Sequence, residues 1–291
     1  ANCGFVMLNN PPVNAINQKM REDLIDAVTW AESEGLERVI LSGMGPGFAA
    51  GADTKEFDQP AISPHLPDVV NRIETSTVPW IAAIHGTALG GGGELALGCR
   101  YRIARADATI GFPEVILGLV PGAGATQRLP RLVGLAEALK LIPTGKTISG
   151  KAAMAIGLVN AIGDDRVAAA KLIDQKILSE AVPLSLMKAG TDKTVSYDTA
   201  RQLAIRRMRG QEAPLTAISL LETAQTATFD DGMQKERNAF LALRASPQAR
   251  ALRHIFFAER AAKKPPKAIE TQKPTLKPLN HVIVIGGGTM G

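Results

Sequence analysis

The stretch HGTALGGGGELALGCRYRIARADATIGFPEVILGLVPGAG, residues 85–124, places two acidic residues in unusual surroundings. Glu94 directly follows a run of four glycines at 90–93, and Glu114 comes twenty residues later, between a proline and an apolar run. Such neighbours can exclude water from a carboxyl group and raise its pKa toward neutrality, as acid–base chemistry requires. The stretch therefore predicts a pair of catalytic carboxyl groups.

The glycine run has a separate physical purpose, because a backbone N–H group without a neighbouring Cβ can approach a ligand closely. We expect a short helix at 94–97 with Gly98 as its C-terminal cap. The first N–H groups of a helix have no partner within it and can stabilise an oxyanion. The alternative is a glycine-rich turn in which Glu94 is a solvated acid of the first helical turn.

A second junction of loop and helix lies earlier in the chain, where residues 47–57 read GFAAGADTKEF. Small residues lead to Asp53, which is a predicted N-cap, and Glu56 stands three positions later, as in a capping box. This junction is expected to offer further N–H groups without partners.

Three motifs carry a resemblance to a known family. FAAGADTKEF at 48–57, GTALGGGGELALGC at 86–99 and FPEVILGLVPGAGATQRLPRLVG at 112–134 resemble, in order and spacing, the enoyl-CoA hydratase (crotonase) family. The resemblance covers about residues 4–190. It implies an α/β fold, the crotonase-type spiral of β-β-α repeats followed by a helical C-terminal region, whereas the predicted elements alone leave a doubly wound parallel sheet equally open.

The resemblance also implies a reaction, the addition of water to a 2-enoyl-CoA thioester. Glu94 would activate the water and Glu114 would deliver a proton to C2, although the sequence leaves open which of the two is ionised. The remaining implied roles are the oxyanion hole at the N–H groups of Ala52 and Gly91, water positioning at Gly122, and contacts to the adenine end of coenzyme A from Ala50, Gly51 and Asp53. The reaction needs no cofactor, and we expect no metal, because the four histidines lack metal-ligand spacing.

Other activities stay open within this resemblance. A Δ3,Δ2-enoyl-CoA isomerase side activity is expected. The alternatives are a dedicated isomerase, a thioesterase or a ring-forming synthase, and a non-catalytic RNA-binding relative. The presence of both acids favours the hydratase.

The two ends of the chain suggest a subgroup. NPPVNAI at 10–16 resembles the hydratase half of a multifunctional fatty-acid β-oxidation enzyme, and HVIVIGGGTMG at 281–291 resembles the start of a dinucleotide-binding domain. Gly286, Gly288 and Gly291 form the fingerprint, but the helix that would hold the pyrophosphate does not follow within the 291 residues. We therefore expect NAD to bind only with a longer dehydrogenase domain, and a thiolase subunit is a further possible partner. The resemblance implies the cytoplasm of a bacterium or the peroxisome of a eukaryote.

Composition sets the remaining limits. The chain has 291 residues, 45% of them hydrophobic and 21% charged, which is sufficient for a large core. The net charge is +5, but the five lysines and one acid of residues 263–280 account for +4 of it, so we expect no nucleic-acid partner. No apolar run reaches the length of a membrane span. The two cysteines, Cys3 and Cys99, do not form a disulfide framework.

The elements predict four regions: a core at 1–190, a helical region at 191–262, a proline- and lysine-rich linker at 263–280, and the dinucleotide-binding start at 281–291. In the core we expect a helix at 18–34, with Met20, Leu24, Val28 and Ala31 on one face, and buried strands at 38–42 and 80–85. Single helices are expected at 131–141 and 165–179. A helix at 247–262 is expected to pack on this chain through Ala249, Leu252, Ile255 and Phe256, leaving a monomer.

Overall fold

The computed structural model describes residues 2–190, 195–263, 280, 281 and 283. Its contacts divide the chain into two compact units, 1–253 and 254–291, and the features below belong to the first unit unless stated otherwise. The fingerprint glycines Gly286, Gly288 and Gly291 and most of the predicted linker lie outside the described residues.

Eight strands in the described residues form two sheets. They are β1 (Cys3–Leu8), β2 (Arg38–Gly43), β3 (Trp80–Ile84), β4 (Thr87–Leu89), β5 (Tyr101–Ala104), β6 (Thr109–Gly111), β7 (Thr147–Ser149) and β8 (Ala161–Ile162). The larger sheet has the order β1-β2-β3-β5-β8, and all of its neighbouring strands are parallel. The smaller sheet has the order β4-β6-β7, in which β4 and β6 are parallel and β6 and β7 antiparallel.

Twelve α-helices complete the described part of the chain. They are α1 (Gln18–Ser33), α2 (Leu66–Glu74), α3 (Gly91–Gly98), α4 (Ala125–Val133), α5 (Leu135–Leu141), α6 (Gly150–Ala155), α7 (Arg166–Lys171), α8 (Gln175–Glu180), α9 (Tyr197–Arg207), α10 (Ala213–Thr226), α11 (Phe229–Ala245) and α12 (Pro247–Ala262). Within these residues, no helix is both long enough and apolar enough to cross a bilayer.

The strands follow a repeated path. β3 lies in the large sheet, β4 in the small sheet, and α3 follows; β5 and β6 then repeat the step between the sheets. One turn earlier, Ala49 bridges Ala88 in the same layer as the small sheet. This spiral of β-β-α units confirms the architecture expected from the resemblance and excludes the doubly wound sheet.

Burial explains why these residues form the large sheet. Every position of β2 (RVILSG) and β3 (WIAAI) is buried, as parallel strands covered on both faces require. Val39 and Leu41 belong to the main core, whereas Ile40 packs with Ile81 in a second cluster on the other face. Helix α1 lies against the core through the predicted face of Met20, Leu24, Val28 and Ala31.

Several predicted helices differ from the structure. The expected helix at 131–141 is two helices, α4 and α5, because Gly134 has φ +82° and breaks the first one. The expected helix at 165–179 is also two, α7 and α8, with the Asp174 side chain capping the second. Both breaks depend on single residues that a hydrophobic pattern does not detect.

The predicted capping box is only half correct. Asp53 Oδ1 accepts a hydrogen bond from Lys55 N at 3.0 Å and caps a short 3₁₀ turn, Thr54–Glu56. The Glu56 side chain does not return to Asp53 but accepts from Gln18 N at 2.7 Å and pairs with Arg21. Glu56 therefore ties this turn to the start of α1.

Helix α12 buries only part of the face that was predicted. Ala249 is fully buried and the side chain of Arg253 is nearly so, whereas Ile255, in the second unit, is 55% exposed. The prediction is confirmed for Ala249 and wrong for Ile255, and it did not include Arg253 in the buried face.

Candidate active site

The glycine run connects strand β4 to helix α3. The helix begins at Gly91 and ends at Gly98, three residues earlier than predicted at its start, so the glycines form its first turn. Gly90 has φ +52°, and a Cβ on it would lie 2.8 Å from Glu114 Oε1. The absence of side chains therefore lets the carboxyl group of Glu114 approach the backbone directly.

Two N–H groups meet beside this turn. A Cβ built on Gly91 would lie only 3.3 Å from the Ala52 nitrogen. Ala52 is held there by a parallel bridge to Ile16, in which Ile16 N donates to Gly51 O at 2.8 Å and Asp53 N donates to Ile16 O at 3.1 Å. Among the described residues, neither the Ala52 nor the Gly91 N–H donates to a backbone carbonyl. Both donors are therefore open to a ligand, as the oxyanion-hole prediction requires.

Glu94 lies on α3 and is 3% exposed. Its Oε1 accepts hydrogen bonds from Ala123 N at 2.8 Å and Ala125 N at 3.1 Å. Burial raises the pKa of Glu94, while these two N–H groups, the nearby Arg128 guanidinium and the Gly122 N–H favour the charged carboxylate and oppose that rise. The alternative of a solvated first-turn acid is wrong.

The surroundings of the Glu114 carboxyl group differ from those of Glu94. It lies on a 3₁₀ turn, Pro113–Leu117, and its Oε2 is shielded from solvent with no hydrogen-bond partner in the described part of the chain. Burial raises the pKa of Glu114 well above its ordinary value, and the neighbouring negative charge of Glu94 raises it further. These surroundings therefore favour the protonated form of Glu114 more strongly than that of Glu94.

These groups line one cavity of about 210 Å³. All of the site residues predicted from the core motifs contribute to it: Ala50, Gly51, Ala52, Asp53, Gly91, Glu94, Glu114 and Gly122. Apolar side chains, including Phe57, Ile62, Leu66, Leu117 and Leu119, cover much of the remaining wall. The cavity thus combines two acids and two open N–H groups with space for an apolar chain.

Helix α11 supplies lining residues that the sequence interpretation missed. Arg237, Phe240 and Arg244 reach the cavity from this helix, and the Phe240 ring packs so closely that a Cβ on Gly122 would lie 2.8 Å from it. Another residue of α11, Glu236, is fully buried behind the site. One sequence signal could have identified Glu236. It is an acid at a core-facing helical position, three residues after Met233 and four before Phe240.

Comparisons with known proteins agree with this geometry. A family model described as enoyl-CoA hydratase/isomerase matches residues 1–235. A probable enoyl-CoA hydratase of Bacillus subtilis is 40% identical over 216 residues, which are 69% of this chain and 83% of the relative. Among solved structures, an enoyl-CoA hydratase from Thermoplasma volcanium is 29% identical with a TM-score of 0.56, covering 90% of this chain and 94% of its own.

Longer relatives match the whole chain. The peroxisomal bifunctional enzyme of Cavia porcellus is 38% identical over 299 residues, covering 99% of this chain but 41% of the relative. The chain thus spans about two fifths of the length of the bifunctional relatives that it matches. From the family match over 1–235 and the relative of similar length, it follows that the chain belongs to the enoyl-CoA hydratase/isomerase family.

Proposed function

We propose that the chain hydrates 2-trans-enoyl-CoA thioesters to 3-hydroxyacyl-CoA in fatty-acid β-oxidation. The observation that carries the proposal is the pairing of two carboxyl groups with opposite environments in one cavity. Glu94 accepts two backbone hydrogen bonds, whereas Oε2 of Glu114 has no partner within residues 2–190 and 195–263. A base and an acid that differ in this way can act on the same substrate in one step.

The reaction follows from these positions. The N–H groups of Ala52 and Gly91 stabilise the thioester oxygen as it gains enolate charge. Glu94 removes a proton from water as the water oxygen bonds to C3, and Glu114 gives its proton to C2. The Gly122 N–H helps to hold the water. Transfer of the proton gained by Glu94 back to Glu114 restores both groups.

Substrate recognition involves the wall nearest Asp53. The loop of Ala50, Gly51 and Asp53 would contact the adenine end of coenzyme A, as in the family that the chain resembles. Arg237 and Arg244 line the same cavity, and their positive charge favours the phosphates of coenzyme A. The apolar wall would take the acyl chain.

Further activities belong to the same proposal. A Δ3,Δ2-enoyl isomerase activity would need only a carboxyl group that moves a proton between C2 and C4 beside the same oxyanion hole. The relatives named as bifunctional enzymes suggest that hydration is one half of a longer protein, whose dehydrogenase domain would use NAD and which could assemble with a thiolase. We place such a protein in the peroxisome of a eukaryote or the cytoplasm of a bacterium.

The test is an assay of the hydration of crotonyl-CoA and of longer 2-enoyl-CoAs. The reaction is monitored through the loss of absorbance of the conjugated thioester. Isomerisation of 3-enoyl-CoA and release of free coenzyme A are measured on the same samples. Glu34→Gln, at an exposed glutamate outside the cavity, is the matched control for Glu94→Gln and Glu114→Gln. Isomerisation or thioester hydrolysis without hydration would assign the site to one of the alternative activities.

A further inference from the structure

Glu236 on helix α11 is a third buried carboxyl group near the cavity. It is 0% exposed, and all of its hydrogen bonds go to the segment that begins α4. Oε1 accepts from Gly124 N at 2.6 Å, and Oε2 accepts from Thr126 N at 2.9 Å and Thr126 Oγ1 at 2.6 Å. A buried carboxyl group with three donors aimed at it is a specific arrangement, since burial of an unpartnered one is costly.

Glu236 shares this segment with Glu94. Ala123 N and Ala125 N donate to Glu94, whereas the alternate groups, Gly124 N and Thr126 N, donate to Glu236. Four consecutive N–H groups are thus divided alternately between two carboxyl groups. Those of Gly124, Ala125 and Thr126 belong to the start of α4, where N–H groups have no partner within the helix.

The backbone at Gly124 makes the division possible. Gly124 has φ +106°, a conformation open mainly to glycine, and a Cβ on it would lie 1.9 Å from Arg128 Nη1. The direction of the Thr126 hydroxyl is also fixed. It accepts from Gln127 Nε2 at 3.0 Å, so its own hydrogen is directed to Glu236.

We propose that Glu236 is a positioning residue for the reaction: by holding the N–H groups of Gly124 and Thr126, it turns those of Ala123 and Ala125 toward Glu94 Oε1 and so orients Glu94. The proposal rests on the hydration proposed above. It means that the catalytic base depends on a residue of α11, far along the chain from the core motifs. The Phe240 ring, one turn along the same helix, packs against Gly122 and supports the same segment from its other end.

The surroundings of Glu236 shift its pKa into a range in which its titration can be measured. Burial raises the pKa of Glu236 to about 8, the charge of Glu94 on α3 adds to the rise, and the three donors oppose it. The other charged groups of this cluster are Glu114 on the 3₁₀ turn, whose own pKa Glu236 raises, and Arg128 on α4, which faces Glu94.

The main test is Glu236→Gln, because glutamine keeps the shape but has one acceptor oxygen, which cannot replace both Oε1 toward Gly124 N and Oε2 toward Thr126 N. We expect kcat for crotonyl-CoA hydration to fall by about ten- to a hundredfold with KM changed less than about threefold, as for a misplaced catalytic group. Lys235→Gln is the matched control, since it removes a charge from the exposed face of the same helix and should leave kcat unchanged.

A second readout does not depend on activity. In amide NMR spectra of the wild type, the Gly124 and Thr126 signals should titrate near pH 8 with Glu236. In Glu236→Gln this step should disappear, and the Ala123 and Ala125 signals should move because their partner Glu94 is displaced. Lys235→Gln should show the wild-type titration.

The outcomes separate the two proposals. If the wild type does not hydrate enoyl-CoA, the hydration proposal fails, while the NMR titration still tests the contact between Glu236 and the segment. Unchanged kcat in Glu236→Gln, or unmoved Ala123 and Ala125 signals, would overturn the positioning role. If Glu236→Gln does not fold, Thr126→Val removes one donor to Glu236 and leaves the hydrogen bonds of Glu94. It should lower kcat and shift the titration upward, and no change in either would also overturn the proposal.

Discussion

Glu94 and Glu114 face one cavity with unequal hydrogen bonding: Glu94 Oε1 accepts from two backbone N–H groups, while Glu114 Oε2 has no partner among the described residues. Burial raises the pKa of both carboxyl groups, but that of Glu114 rises well above the ordinary value because the charge of Glu94 adds to burial. This inequality supports the proposal that Glu94 acts as the base and Glu114 as the acid.

The first prediction concerns pH. Hydration should fall at low pH as Glu94 takes up a proton and at high pH as Glu114 loses one, which gives a bell-shaped profile of kcat/KM. Because the pKa of each carboxyl group is raised, both limbs should lie above the ordinary range for glutamate. A rate that stays constant down to the ordinary pKa of glutamate would contradict the buried base.

The second prediction concerns substitution of the two acids, Glu94 and Glu114. Glu94→Gln and Glu114→Gln should each lower kcat by at least about a hundredfold, because each removes a proton-transfer group. Coenzyme A binding, measured by calorimetry, should change little. Glu94→Gln should also remove the low-pH limb and Glu114→Gln the high-pH limb. Near-full turnover in either variant would show that its role is assigned wrongly.

The third prediction concerns the oxyanion donors. Gly91→Ala would place a methyl group 2.6 Å from Leu66 Cδ2 and 3.3 Å from Ala52 N, where the proposed reaction needs the thioester oxygen. We expect a loss of about 3–4 kcal/mol in transition-state stabilisation, similar to the loss of one oxyanion donor. Gly190→Ala is the control, because a Cβ there meets nothing within 4 Å. Equal kcat/KM for the two variants would exclude an oxyanion hole at Gly91.

The local patterns of the sequence predicted much of this structure. Continuous apolar runs identified β2 and β3, helical spacing identified the buried face of α1, and the glycine run with its two acids identified the cavity. The contacts that escaped prediction join distant parts of the chain. Glu56 binds Gln18 N across 38 residues, and Glu236 binds Gly124 N across 112. Such partners are chosen by tertiary packing, which no local pattern records.

The fourth prediction concerns stability. Arg128 Nη2 and Glu74 Oε2 form an ion pair at 2.7 Å with side chains that are 0% and 3% exposed. Glu74→Gln leaves the buried guanidinium without its counter-charge and should lower the free energy of unfolding in urea by about 3–5 kcal/mol. Glu137→Gln breaks the pair with Lys140 near the surface and should cost at most about 1 kcal/mol. Equal losses would mean that burial adds nothing to the importance of the pair between Arg128 and Glu74.

The last prediction concerns the start of helix α12. Gly118, which follows the turn that carries Glu114, lies so close to α12 that a Cβ on it would be 2.8 Å from the Ala249 Cα. Arg253 binds Asp58 Oδ1 at 2.9 Å, and its guanidinium lies 5.8 Å from the centre of the Phe57 ring. These contacts support two walls of the cavity.

Shortened chains can locate that support. A chain that ends at Ala245 loses Ala249 and Arg253, whereas one that ends at Arg253 keeps both. We expect the free energy of unfolding of the first chain to fall by about 2 kcal/mol, which lowers Tm by about 4–8 °C. We also expect this chain to lose hydration activity, because Glu114 moves. The second should match the 291-residue chain in Tm and kcat, since Ile255 and Phe257 beyond it are 55% and 42% exposed. Light scattering on all three chains checks that the lower Tm is not a change from the expected monomer. If the chain ending at Ala245 keeps the Tm and kcat of the one ending at Arg253, then the start of α12 does not support the cavity.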